Sequence, residues 1–128
     1  MTYPEAGLYI DGEWTDGTHS RGDDIVNPAT GQVLGRVPFA GPDDVDRAIG
    51  AAGAAFPAWR DAGPERRGAI LRRAAALIHE RAAEIGRAMT LEEGKPLAEA
   101  SGEVHRAAAQ IEVYVDEHAR TRYRRPTW

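Results

Sequence analysis

The chain contains no cysteine. Disulfide frameworks, thiolate metal sites and a cysteine nucleophile are therefore excluded within its 128 residues. It also lacks a cationic excess: 16 Lys and Arg stand against 20 Asp and Glu, a formal net charge of -4. Nucleic acid and anionic membranes are bound through cationic faces, so neither is expected as a partner. Long apolar runs are missing too. The longest uncharged one, Ala48 to Trp59, carries two glycines and a proline and is too short to cross a bilayer. The first residues, Met1 to Gly7, have neither the basic stretch nor the apolar core of a secretory signal, and a cytoplasmic protein is expected. No internal repeat or low-complexity segment divides the chain.

What remains is an ordinary water-soluble composition, 42% hydrophobic and 28% charged. That is enough for one domain burying roughly two thirds of its unfolded surface. Residues 1–6 read as a disordered start. Leu8-Tyr9-Ile10, Asp11-Gly12 and Glu13-Trp14-Thr15 predict a β-hairpin, because Asp-Gly suits the two positive φ angles of a type I′ turn. Asp16 to Asp24 reads as a loop. Ile25-Val26, halted by Asn27-Pro28, and Val33 to Val37 predict a second hairpin.

Helical signals follow. Gly41-Pro42-Asp43-Asp44 starts a helix, with proline in the first turn and acids at the positive end of the dipole. Val45, Ala48, Ile49, Ala52, Ala55, Phe56 and Trp59 share one face, with Pro57 expected to end the regular part. Gly63-Pro64-Glu65 starts the next helix, striped by Ile70, Leu71, Ala74, Leu77 and Ile78, with a bend expected near Ala82. Arginines 66, 67, 72, 73 and 81 lie mostly off that stripe among glutamates, as on a solvated face. Gly94 and Pro96 mark a C-terminal cap and stop, and Leu97, Val104, Ala108, Ile111 and Val115 stripe a last helix to about Arg120. The segment is thus N-terminal β-hairpins followed by three to four amphipathic helices. Their stripes are narrow and rich in alanine, which suits packing onto something else.

Chemistry is scarce. His19, His79, His105 and His118 show no metal-ligand spacing, and solvated or hydrogen-bonded roles are expected. Ser101 and His105 lie one helical turn apart, yet no oxyanion-binding turn or third group accompanies them. Gly50 with Gly53, and Gly31 with Gly35, do not form the glycine-rich turn that a dinucleotide site or P-loop needs. The adjacent carboxylate pairs Asp43-Asp44, Glu92-Glu93 and Asp116-Glu117 point apart on a helix. No catalytic or cofactor-binding residue is expected.

In order, Leu8 to Trp14, Val26 to Gly31, Asp44 to Ala48, Ala55 to Trp59, Arg66 with Ile70 to Arg72, Thr90 to Leu97 and Gly102 to Val104 resemble the N-terminal region of the NAD(P)-dependent aldehyde dehydrogenases. The wording of Leu91 to Pro96, and of Ile111-Glu112 with Asp116-Glu117, is similar to the succinate-semialdehyde branch. The resemblance implies an α/β parent fold with a Rossmann-like cofactor domain, a catalytic domain and an oligomerising β extension. The parent reaction would be NAD(P)+-dependent oxidation of an aldehyde to a carboxylic acid. There a cysteine thiolate attacks the aldehyde, a hydride leaves to nicotinamide, and glutamate-activated water hydrolyses the thioester. An asparagine side chain and a backbone N–H hold the oxyanion.

All those groups lie downstream of the matched region, so the chain is expected to be a truncated part, inactive alone and binding neither NAD nor NADP alone. Residues 7–120 would form the incomplete domain. Residues 121–128 read as a divergent basic tail, as a frameshift remnant or split-gene product would carry. Expected partners are the rest of an aldehyde dehydrogenase or a homo-oligomer; the alternative is a small helical interaction module derived from the segment. The family's structural monovalent-cation site, carried over, falls on the backbone carbonyls of Ile25 and Val26 and the side chain of Glu92.

Overall fold

The computed structural model describes residues 3–4, 6–19 and 21–121, with side chains described as far as Glu117. Its elements run β1 (Leu8–Ile10), β2 (Glu13–Thr15), β3 (Gly22–Val26), β4 (Val33–Pro38), α1 (Pro42–Asp61), α2 (Gly63–Glu80), α3 (Ala82–Glu93) and α4 (Leu97–Thr121). The chain divides into two compact units, Met1–Ala58 with Leu91–Gly94, and Trp59–Thr90 with Lys95–Trp128.

The first unit carries both hairpins. β1 and β2 pair antiparallel, Leu8 opposite Thr15 and Ile10 opposite Glu13. Asp11 and Gly12 sit at φ 54° and 86°, the turn expected from Asp-Gly. Tyr9 and Trp14, directly opposite, bring their rings to 5.1 Å. β3 begins earlier than expected: Gly22, Asp23 and Asp24 are strand, not loop, because Pro38, Val37 and Arg36 of β4 pair with them. Aspartate disfavours strands, but Asp24 faces Arg36 in the register, and cross-strand pairing overrides the local preference.

Pro57 does not end α1, which continues to Asp61. The proline ring costs α1 the backbone bond to the Gly53 carbonyl, yet the helix runs on past it. The predicted apolar face is real in spacing but uncovered. Val45, Ile49 and Phe56 are 47%, 65% and 58% exposed, and the buried residue of α1 is Asp44.

The second unit is helical, with α2 packed along α4. Its buried residues are mostly small: Gly68, Ala75, Ala82, Gly86, Ala100, Val104, Ala108 and Val115. Ile70, Leu71 and Leu97, expected in the stripes, are largely exposed. Close approach explains the exchange. A Cβ on Gly68 would lie 3.1 Å from Val115 Cγ1, and one on Gly86 would lie 3.0 Å from Ser101 Oγ. Backbones this near leave room for alanine at the seam and turn larger side chains to its flanks. Val104 and Val115 supply the larger buried groups, each contributing roughly 1.5–3 kcal/mol. The bend expected near Ala82 is the boundary between α2 and α3, where Arg81 leaves helical geometry at φ -102°.

Three of the arginines of α2 find partners. Arg67 donates to the carbonyls of Trp59 and Arg60, closing the end of α1. Arg72 pairs with Asp116 at 2.9 Å and Arg73 with Glu80 at 3.1 Å. Residues 122–128, most of the expected divergent tail, lie outside the described residues.

Candidate functional site

The family-implied cation ligands draw on two segments of the first unit, and the structure places those segments together. Gly94 adopts φ 74°, so the end of α3 is capped by a left-handed residue, as Gly94-Lys95-Pro96 predicted. A Cβ there would sit 3.0 Å from Pro28 Cγ. The turn after Val26 and the turn after Glu92 are therefore in contact through Pro28 and Gly94.

Around Ile25 and Val26 the ladder is irregular. Ile25 faces Gly35 and Val26 faces Val33, leaving Leu34 as the extra residue of a bulge. A bulge interrupts backbone pairing and frees groups for other partners. Glu92 is exposed, and its Oε1 accepts a hydrogen bond from the hydroxyl of Tyr3. Tyr3 is half-buried. Burial, then the bond to Glu92 and its charge, pushes the Tyr3 phenol up to about 12.

A second polar centre in this unit went unseen in the sequence. Asp44 is fully buried, and its Oδ2 accepts the N–H of Gly41 at 2.9 Å, the N–H of Thr18 at 2.8 Å and the Thr18 hydroxyl at 2.9 Å. Arg47 reaches Oδ1 at 3.2 Å. As the third residue of α1, Asp44 reaches back to the residue before the helix, half of a capping box. The N–H donors of Thr18 and Gly41 outweigh burial and hold its carboxyl below the usual aspartate value. Gly41-Pro42-Asp43-Asp44 signalled a cap; nothing signalled that it also secures the loop at Thr18.

In the second unit, Lys95 donates to Glu103 Oε2 at 2.7 Å, with both side chains partly shielded. That bond lowers the Glu103 carboxyl against the opposing effect of burial. Thr90 Oγ1 is buried with no hydrogen-bond partner among the described residues. Ser101 and His105 do not form a pair among the described residues: Ser101 lies against Gly86, while His105 Nδ1 is 3.0 Å from His79 Nδ1. The sequence did not foresee that meeting, since it joins two helices. Among the described residues no three His, Cys, Asp or Glu side chains could enclose a metal ion, and no helix is long and apolar enough to cross a membrane.

Comparison with known proteins places these hairpins, helices and turns in a family. The profile of the aldehyde dehydrogenase family matches residues 14–126. The chain is 46% identical over 112 residues to glutarate-semialdehyde dehydrogenase of Pseudomonas putida, covering 88% of this chain and 23% of the relative. It is 46% identical over 111 residues to the NADP(+) succinate-semialdehyde dehydrogenase of Escherichia coli, covering 87% and 23%. Among solved structures, the crystal structure of an E. coli NADP-dependent enzyme matches with a TM-score of 0.87 at 44% identity, over 91% of this chain and 24% of that one. Succinate-semialdehyde dehydrogenase from Burkholderia pseudomallei gives 0.86 at 40% identity, over 91% and 24%. The chain thus spans about a quarter of the length of these relatives. Hairpins, helices and the Leu91 to Pro96 turn are those of an N-terminal region, and the chain belongs to the aldehyde dehydrogenase family.

Proposed function

We propose that this chain serves as the N-terminal segment of an NAD(P)+-dependent aldehyde dehydrogenase acting on a semialdehyde of a short dicarboxylic acid, succinate semialdehyde foremost, and that it has no turnover by itself. One observation carries the reading: a chain matched to the family over residues 14–126 contains no cysteine. The family's chemistry needs a thiolate to form the thioester, and rate enhancements of roughly a millionfold or more depend on such groups. NAD or NADP would bind the polypeptide that supplies the cofactor domain. The setting consistent with this role is the cytoplasm.

The segment's contribution is structural. The exposed stripe Val45, Ile49 and Phe56 on α1 is the kind of surface that another part of an enzyme covers. The partner is therefore the remaining aldehyde dehydrogenase polypeptide, within a homo-oligomer of the completed subunit. The same stripe is what favours the second reading, a helical interaction module for unrelated proteins. Ile25, Val26 and Glu92 belong to the first reading as the contribution of this chain to a monovalent-cation site. In support, Pro28 and Gly94 hold their two segments in contact.

The test is reduction of NAD+ or NADP+ by the purified chain with succinate semialdehyde, followed by absorbance of the reduced nicotinamide. The expected rate is background. Co-expression with an aldehyde dehydrogenase polypeptide that begins after the matched region should give a co-purifying, active complex. Turnover by the chain alone would refute the inert segment, and capture of only unrelated proteins would favour the module.

A further inference from the structure

Beyond the features used above, one side-chain pair stands apart from the aldehyde dehydrogenase reading: His79 on α2 and His105 on α4, 26 positions apart in sequence. Their Nδ1 atoms lie 3.0 Å apart. Ring centroids are 5.2 Å apart with 26° between planes. The difference between the two distances is about two ring radii, so the nitrogens lie nearly on the line joining the rings. Each lone-pair direction is therefore aimed at the other ring. A neutral imidazole has one donor and one acceptor nitrogen, so where the two tautomers differ one Nδ1 donates to the other and a single proton is shared. Both side chains are exposed, and an ion can reach them from solvent.

We propose that His79 and His105 form a two-point metal clip in which a borderline divalent cation of the zinc type replaces the shared proton and joins α2 to α4. Imidazole nitrogen is a preferred ligand for zinc, nickel and copper. With Zn–N bonds of about 2.0–2.1 Å in tetrahedral geometry, two bound nitrogens stand about 3.3 Å apart. The pair needs to open by a few tenths of an ångström and tilt its rings, which exposed side chains do freely. The helices themselves already pack along each other, so the site is held before the ion arrives. No third His, Cys, Asp or Glu joins them among the described residues, so the other positions fall to water. An ion held by both helices closes the intervening loop, the arrangement in which a clip gains most.

Zinc chloride alone is the probe. An ion that binds only the folded state raises the melting midpoint as its concentration passes the dissociation constant. The midpoint of the full chain should climb with zinc, and the climb should vanish in both His79→Gln and His105→Gln while persisting in His19→Gln. In NMR spectra, two imidazoles should shift together, saturating at one zinc per chain. A midpoint indifferent to zinc, or one that climbs equally in the two α2 and α4 variants, would overturn the clip. So would shifts at any other histidine pair.

Discussion

The Asp44 carboxylate accepts the N–H of Gly41 at 2.9 Å while also holding the N–H of Thr18 at 2.8 Å, so one buried side chain both caps helix α1 and ties down the loop before β3. Its lowered carboxyl makes the contribution dependent on pH. The folded state favours the ionised form, so the stabilisation is complete above the ordinary aspartate value of 3.8 and is lost as pH falls through the lower folded value. Asp44→Asn should lower the melting midpoint at neutral pH. The gap to the unaltered chain should narrow below about pH 4. A gap that stays constant down to strong acid would mean that charge plays no part.

Tyr3 and Glu92 give the opposite sign. The phenol is raised to about 12, so the contribution is present below the ordinary tyrosine value of 10.0 and disappears as pH rises through the folded value. Ultraviolet titration of the folded chain should resolve a late tyrosine transition at about 12, absent from Tyr3→Phe. A Tyr3→Phe difference curve with its midpoint at the ordinary value of 10.0 would place Tyr3 in solvent, away from Glu92.

Gly86 and Gly53 are both interior helical glycines with opposite surroundings. A methyl group on Gly86 meets Ser101 backbone atoms at 3.2 and 3.3 Å, which cannot step aside, and one on Gly53 meets nothing within 4 Å. Gly86→Ala should destabilise by about 1–3 kcal/mol through overpacking. Gly53→Ala should stabilise by about 0.4–1 kcal/mol by restricting the unfolded chain. Urea unfolding of both variants checks the pair, and the same sign in each would contradict the α3 and α4 contact.

Gly94→Ala combines two penalties. The left-handed backbone costs about 1 kcal/mol for any residue with a Cβ, and the added carbon also presses on Pro28 at 3.0 Å. The loss should therefore exceed about 1 kcal/mol in thermal or urea unfolding. An unaltered midpoint would show that α3 ends some other way.

Thr90→Val removes a buried hydroxyl that has no partner among the described residues. An unsatisfied polar group costs about 1–3 kcal/mol, so the nearly isosteric valine should raise stability, by up to about 1 kcal/mol. A lower midpoint for the valine variant would reveal a hydrogen bond at Thr90.

Local chemistry was legible in the sequence wherever neighbouring residues decide it. Asp11-Gly12 predicted its turn, Gly94 its left-handed cap and the Arg81-Ala82 region its break. The motif order from Leu8 to Val104 pointed to the family that the profile match bears out. What the sequence concealed depends on partners far along the chain. Asp23 and Asp24 look like loop residues until Arg36 and Val37 pair with them. Asp44 looks like a dipole acid until Thr18 folds onto it. His79 and His105 become a pair only once α2 and α4 lie side by side, and hydropathy alone cannot tell which helix faces which. The same seam explains why Ile70 and Leu71 are exposed while Ala75 is buried: hydrophobic periodicity finds a face, but close backbone approach decides which residues at its centre fit.

The two hairpins are separate two-stranded ribbons, β1 with β2 and β3 with β4. A ribbon has no interior strand, so among the described residues each strand has an outer margin that no other strand pairs, a template for adding a foreign strand. Very short strands and charged residues are the ordinary defences. β1 and β2 are three residues each, and β3 carries the exposed Asp23 and Asp24 side by side. Those aspartates, poor strand formers by preference, thereby guard a longer ribbon against self-templated growth into aggregates.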